Sequence, residues 1–355
     1  MDRAVVSART SVVKTSAAKR REGGRAKKVI SVVVPVFNEE EVLPAFHKRL
    51  ISVLDKLPYL VEVIYVNDGS TDDSLMILRD LHAHDGRLAI INLSRNFGKE
   101  LALTAGIDHA VGEAVVIIDA DLQDPPEVIP ELIEPWAEAD YDVVYAQRLS
   151  RTGESSLKRG TAFAFYRVIN WLSRVRVPPD TGDFRLLSRR AVQGLREVRE
   201  HHRFMKGLFA WIGYRQIAVP YHRSPRASGR SKWNYVRLWN FSLEGITGFT
   251  IAPLKVATYV GLIVAISAIA YGGIIIWRTL IYGSEVPGYP SLMAVILLLG
   301  GLQLTTLGIL GEYVGRVFNE TKRRPLYLVQ DVQAAEPGES AAAAPVPDDA
   351  REQRA

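Results

Sequence analysis

The stretch Asp119-Ala120-Asp121-Leu122-Gln123-Asp124-Pro125-Pro126 directly follows the apolar run Val115-Val116-Ile117-Ile118. A short apolar run bounded by turn residues reads as a buried strand. A strand ending in closely spaced carboxylates delivers them to the carboxyl edge of a sheet, where open α/β folds bind their ligands. Asp119, Asp121 and Gln123 offer two carboxylates and an amide oxygen. Such hard donors suit Mg²⁺ or Mn²⁺ better than zinc. The stretch therefore predicts an α/β fold holding a divalent cation against a phosphate-bearing ligand. An Asp-x-Asp pair also occurs in plain capping loops, so the flanking segments must decide.

Those segments alternate. Residues 30–36 form a β-rich run and 40–57 a helix-like stretch; 61–66 is a second strand, closed by Asn67-Asp68-Gly69-Ser70-Thr71-Asp72. A helix to about residue 83, a strand over 88–93, a helix over 98–110 and strands over 115–118 and 142–146 follow. Strands alternating with helices imply βαβ units and a mostly parallel sheet. No G-x-G-x-x-G follows the first strand, so the usual dinucleotide fingerprint is missing. Acidic residues close three strand ends: Glu39 with Glu40, Asp68, and Asp119. A carboxylate there can accept from a base or a ribose hydroxyl, although Asp68, Ser70 and Thr71 are also ordinary turn and capping residues.

The chain has 355 residues, a formal charge of +5 and no cysteine, which excludes disulfides and thiolate metal sites. Residues 256–277 and 286–311 contain no charged side chain. Each is long enough for a membrane span, which needs about 20 apolar residues. Basic residues flank the pair: Arg223, Arg226, Arg230, Lys232 and Arg237 before it, and Arg316, Lys322, Arg323 and Arg324 after it. The positive-inside rule then places both flanks in the cytoplasm and the short loop outside. No apolar signal peptide opens the chain, so a multi-pass protein of the inner (cytoplasmic) membrane is expected, with its large N-terminal region and both termini cytoplasmic.

The expected organisation is a disordered basic arm over 1–28, a catalytic α/β domain over 29–230 and a juxtamembrane amphipathic helix over 231–252. Transmembrane helices over 253–280 and 287–311, a cytoplasmic segment over 312–331 and a disordered tail over 332–355 complete it. Trp233, Tyr235, Trp239, Phe241 and Phe249 crowd the juxtamembrane element, as in interfacial helices.

The segments Val33-Val34-Pro35-Val36-Phe37-Asn38-Glu39-Glu40, Asn67-Asp68-Gly69-Ser70-Thr71-Asp72 and Asp119-Ala120-Asp121-Leu122-Gln123-Asp124-Pro125-Pro126 resemble family 2 glycosyltransferases of the GT-A fold. More narrowly, the chain resembles the dolichyl-phosphate mannose synthase-like branch, with its bacterial polyprenyl-phosphate glucosyltransferases. Gly182-Asp183-Phe184-Arg185, Arg203-Phe204-Met205-Lys206-Gly207, Gly229-Arg230-Ser231-Lys232-Trp233 and Gly311-Glu312-Tyr313 extend the match over roughly residues 30–327.

The resemblance implies a GT-A domain followed by interfacial helices and two transmembrane helices. By position, Pro35, Phe37, Glu39, Asp68 and Asp119 line the nucleotide pocket. Asp119, Asp121 and Gln123 hold Mg²⁺ or Mn²⁺ and the diphosphate. Asp183 and Asp121 stand at the reacting centre, and Arg148, Arg159, Arg230 and Lys232 face the acceptor phosphate or diphosphate. The implied reaction is a metal-dependent, inverting transfer of one hexose, glucose from UDP-glucose, onto undecaprenyl or decaprenyl phosphate. The partners are a nucleotide-diphosphate sugar, polyprenyl phosphate and the bilayer; a homotetramer is compatible with the resemblance.

Alternatives are the same chemistry with mannose from GDP-mannose or with aminoarabinose, and a catalytically silent nucleotide- or lipid-binding scaffold. A processive polysaccharide synthase would need a Gln-x-x-Arg-Trp motif, which the chain lacks. The basic arm alone raises nucleic acid, which the membrane spans argue against; no nucleic-acid partner is expected.

Overall fold

The computed structural model describes residues 28–149, 178, 181–201, 203–222, 250, 252–282 and 288–335. The expected basic arm and juxtamembrane helix, and the tail beyond residue 335, lie outside the described residues almost entirely.

Eight strands form one mixed sheet. In chain order they are β1 (Val29–Val36), β2 (Leu60–Asn67), β3 (Leu88–Leu93), β4 (Ala114–Ile117), β5 (Val143–Arg148), β6 (Thr181–Ser188), β7 (Gln216–Tyr221) and β8 (Val329–Gln333). The spatial order is β7-β5-β6-β4-β1-β2-β3-β8. β1 runs parallel to β2 and β4, and β2 parallel to β3. β6 enters antiparallel to β4 and β5, and β8 antiparallel to β3.

Helices α1 (Leu43–Leu54), α2 (Ser74–His84), α3 (Lys99–His109), α4 (Ile129–Ala139), α5 (Arg189–Glu197) and α6 (Met205–Trp211) cover both faces. Strand alternation sorts the core. Ile30, Val32, Val34 and Val36 pack on one face with Leu43, Phe46, Leu78, Ile129 and Leu132 of α1, α2 and α4. Val33 faces the opposite way, among Ala102, Ala105 and Ile107 of α3 and Val192, Leu195 and Leu208 of α5 and α6. Burial on both faces explains why the inner strands read as unbroken apolar runs. The first helix starts later than expected, at Leu43: the Glu39 carbonyl closes a turn by accepting from Val42 and Leu43, with Pro44 in the first turn.

Two long helices follow, α7 (Ala252–Tyr282) and α8 (Tyr289–Thr321). Residues Leu254–Tyr282 are long and apolar enough to cross a membrane by length and composition. Ile263, Ile269 and Leu280 stand exposed on α7, as do Leu298, Leu304 and Leu307 on α8. α8 continues past the expected span into a charged turn, where Arg316 pairs with Glu312 at 3.1 Å.

The chain then returns to the sheet. The backbone N–H of Ser94 donates to the Leu328 carbonyl at 2.9 Å, Tyr327 Oη donates to Asp108 at 2.8 Å, and β8 closes the edge beside β3. This corrects the expected start of the tail: Val332 and Gln333 belong to a strand. Buried Asn67 donates to Asn92 at 2.8 Å and Asn92 to Asp331 at 2.7 Å, so a polar ladder crosses β2, β3 and β8.

Candidate functional site

The carboxyl ends of parallel β1, β2, β3 and β4 share one edge, and antiparallel β6 begins there. β4 and β6 pair Val116 with Leu186 and Ile117 with Arg185. Carried on by two residues, that register sets Asp119 opposite Asp183. Lys99 Nζ joins them, 2.7 Å from Asp119 Oδ2 and 2.6 Å from Asp183 Oδ2. Asp183 is buried, whereas the Lys99 side chain keeps 42% of its surface exposed. Sequence reading placed Lys99 in a helix and gave it no role. The clue was that β3 ends on the same edge, so the residues after it also reach the site.

Charge in this group is mutually dependent. Loss of water around the Lys99 ammonium lowers its pKa, but the two carboxylates outweigh that and hold it well above the ordinary lysine value. Burial works against the Asp183 carboxylate, yet Lys99 and Lys206 bring its pKa below the usual range. Asp119 is pushed up by burial, against the pull of Lys99. Glu100, pushed up by burial and by Asp183, reaches about 8. Asp119 Oδ1, Asp183 Oδ1 and Glu100 Oε2 are buried without a hydrogen-bond partner among the described residues.

The loop after β1 is laced to the loop after β2. Asn38 accepts from the Thr71 N–H at 2.8 Å, the Asn38 N–H donates to Ser70 Oγ at 3.1 Å, and the Glu39 N–H donates to Ser74 Oγ at 2.9 Å. Pro35, Phe37 and Glu39 are half-buried along this rim. Asp68, expected in the nucleotide pocket, is only 2% exposed. Its two oxygens accept from the backbone N–H groups of Phe97 and Gly98 at 2.7 and 2.9 Å. Burial raises its pKa despite these bonds. Asp68 thus anchors the start of α3, the helix that carries Lys99.

Asp121 accepts from the Gln123 N–H at 3.0 Å, across Leu122 in the left-handed region at φ 58°. A non-glycine residue held there marks a locally constrained turn. The residues fit a divalent cation by donor chemistry: Asp119, Asp121 and Gln123 offer hard oxygens, and Asp119 keeps one buried oxygen without a hydrogen-bond partner among the described residues.

Arg148, at the end of β5, lies over Gly182. Its Nε donates to Tyr221 Oη at 3.3 Å, and its Nη2 is 4.0 Å from Asp124 Oδ1. Tyr221 also donates a short hydrogen bond to buried Asp124. The carboxylate and the phenol hold the guanidinium at the site's edge. Burial works against its charge, but Asp124, Tyr221 and Asp119 together outweigh it and raise the Arg148 pKa. Arg185 turns inward, donating to the Gly182 carbonyl at 2.7 Å and stacking on Phe209. Arg159, Arg230 and Lys232 lie outside the described residues.

Residues 31–196 match the model of glycosyl transferase family 2, and residues 252–317 that of the GtrB C-terminal hairpin. An uncharacterized glycosyltransferase of Synechocystis sp. is 52% identical over 307 residues, covering 86% of this chain and 96% of the relative. The bactoprenol glucosyl transferase of Shigella phage SfV is 48% identical over 302 residues, covering 85% and 98%. A prophage bactoprenol glucosyl transferase homolog of Escherichia coli K12 is 47% identical over 304 residues, covering 86% and 99%. With its strand-end carboxylates in place and nearly the whole length of these relatives matched, the chain belongs to glycosyl transferase family 2 and is a glycosyltransferase.

Proposed function

We propose that the protein transfers a single glucose from UDP-glucose to a polyprenyl phosphate at the cytoplasmic face of the membrane. The observation that carries this reading is the near full-length identity to bactoprenol glucosyl transferases, hairpin included. Bactoprenol is a polyprenol, so its phosphate lies at a membrane surface while its chain stays in the lipid. Helix α7, long and apolar enough to cross a membrane, supports an anchor, and the exposed apolar side chains of α8 are compatible with a second span beside it. The basic residues outside the pair support cytoplasmic flanks.

In this reading an acceptor phosphate oxygen attacks the anomeric carbon from the face opposite the diphosphate. One carbon–oxygen bond forms as the bond to the leaving diphosphate breaks, with inversion. The attacking oxygen is already anionic near neutral pH, so no strong general base is needed. A divalent cation, Mg²⁺ or Mn²⁺, would be held by Asp119, Asp121 and Gln123 and would offset the charge building on the diphosphate. Pro35, Phe37 and Glu39 line the nucleotide side. Asp183 orients the sugar, and Arg148 receives the acceptor phosphate, for which a guanidinium fork is suited. Arg159, Arg230 and Lys232 complete the cationic side.

The test is purified protein in detergent with Mn²⁺ or Mg²⁺, undecaprenyl phosphate and a panel of nucleotide sugars, with lipid products read by mass spectrometry. A gain of one hexose from UDP-glucose alone is expected. Product from GDP-mannose only would overturn the sugar, and no lipid product from any donor would overturn the reaction.

A further inference from the structure

Lys99 is the residue at this site that the family reading leaves without a role. It is the first residue of α3, and the helix start is fixed from below by Asp68, which binds the N–H groups of Phe97 and Gly98. From this anchored base the side chain reaches two carboxylates at once, at 2.7 and 2.6 Å. A lysine holding surface acids for stability alone contributes little, about 0–1 kcal/mol per pair. Here the arrangement is less ordinary. Asp183 is buried and has an oxygen without a hydrogen-bond partner among the described residues. Asp119 has the same. Glu100 adds a third buried carboxyl oxygen beside them.

Two acids brought opposite each other by the β4–β6 register repel unless a cation lies between them. Lys99 supplies that cation. Its ammonium is a point charge on a flexible stem, and its side chain is 42% exposed, so it can shift without moving the backbone. Asp183, buried on a central strand, has no such freedom.

We propose that Lys99 is a positioning residue: its ammonium keeps Asp183 in place and yields Asp119 when a divalent cation binds. The lysine thus serves as the site's own counter-charge before the cation arrives and as the support of Asp183 afterwards. This rests on the proposed transfer reaction, in which Asp119 belongs to the cation side and Asp183 to the sugar side.

The test uses full-length protein in detergent and two independent readouts. In the first, Mn²⁺ binding is followed by electron paramagnetic resonance without nucleotide. K99M, which removes the competing charge, should bind Mn²⁺ about fivefold more tightly than wild type. K99R, which keeps the charge, should bind within about twofold of wild type. Equal Mn²⁺ affinity in K99M and wild type overturns the exchange at Asp119.

In the second readout, K99M should lower kcat about tenfold with little change in donor KM, and K99M combined with D183N should be no slower than D183N alone. Losses that multiply would show that Lys99 does not act through Asp183, and would overturn the positioning role. If K99M fails to fold, K99Q, which also removes the charge, carries the kinetic arm: a kcat reduced at unchanged donor KM supports the proposal, and a wild-type kcat overturns it. A wild-type protein inactive with every donor would sink the transfer reading, while the Mn²⁺ comparison would still decide the exchange at Asp119.

Discussion

Tyr221 Oη stands 3.3 Å from Arg148 Nε, linking the last residue of β7 to the last residue of β5. The same phenol donates to Asp124, which is 1% exposed. The phenol and the buried acid 4.0 Å away therefore together hold the Arg148 guanidinium. Tyr221→Phe retains the ring that packs edge-on against Phe184 and removes only the hydroxyl. Its expected effect is a rise of about fivefold in KM for polyprenyl phosphate, with donor KM nearly unchanged. Arg148→Ala should raise the acceptor KM further, by about tenfold or more, because a charge-assisted phosphate contact is lost. Steady-state kinetics with each substrate varied in turn checks both; an acceptor KM unmoved in Arg148→Ala would remove Arg148 from the acceptor side.

The Asp121 carboxylate shapes its own loop through the Gln123 N–H and is one of the proposed oxygen donors to the cation. Asp121→Ala should weaken Mn²⁺ binding and cut metal-dependent transfer by about a hundredfold or more. Membrane insertion should be unaffected. Mn²⁺ titration of the rate, together with direct Mn²⁺ binding, measures it. Full activity in this variant would refute the donor assignment.

Much of this geometry was legible in the sequence, for a physical reason. Strands β1 to β4 are buried on both faces, so their apolar runs announce themselves, and the acids that follow fall on one edge because the strands are parallel. The second half was opaque. β6 reads Thr181-Gly182-Asp183-Phe184-Arg185-Leu186-Leu187-Ser188, with polar residues where a strand pattern calls for apolar ones. Those residues are buried because they serve the site and its supports. β7 contains Pro220, which argues against a strand except at a sheet edge, where β7 lies. β8 is short and polar, and its partner Asn92 is more than two hundred residues earlier. Lys99 was hidden for a similar reason, since no local pattern reports that Asp119 and Asp183 come to face the start of α3.

Gly69 packs the loop after β2 against the loop after β3. It sits at φ 64°, and a Cβ there would stand 2.4 Å from the Arg95 carbonyl carbon and 2.5 Å from the Asn96 nitrogen. Both obstacles are backbone, and they belong to the loop that leads into Lys99. Gly69→Ala must distort one loop or the other, at a cost of about 2–4 kcal/mol. Thermal unfolding should show the loss. Any folded fraction should also have reduced kcat, because the start of α3 moves. A melting temperature equal to wild type would mean that the two loops are not packed as described.

Asp142 provides a pH-dependent contribution remote from the site. Its carboxylate accepts from Ser188 Oγ at 2.7 Å and from Arg190 at 3.0 and 2.6 Å, while Ser188 caps α5 by accepting from the Ala191 N–H. Burial opposes the charge, but Arg190 and Ser188 outweigh it and hold the Asp142 pKa below the ordinary aspartate value. The folded protein therefore binds this proton less tightly than the unfolded chain does. The resulting stability is fully present above the unfolded aspartate pKa of about 3.9 and is lost as pH falls through the lower folded value. Asp142→Asn should melt below wild type at neutral pH. The gap should narrow as acid passes below about pH 4. Ser188→Ala removes the cap and should cost about 0.5–2 kcal/mol at neutral pH. Melting curves of the three proteins across acid pH measure this, and a wild-type-to-Asn gap that stays constant down to the lowest pH would assign the Asp142 contribution to packing rather than charge.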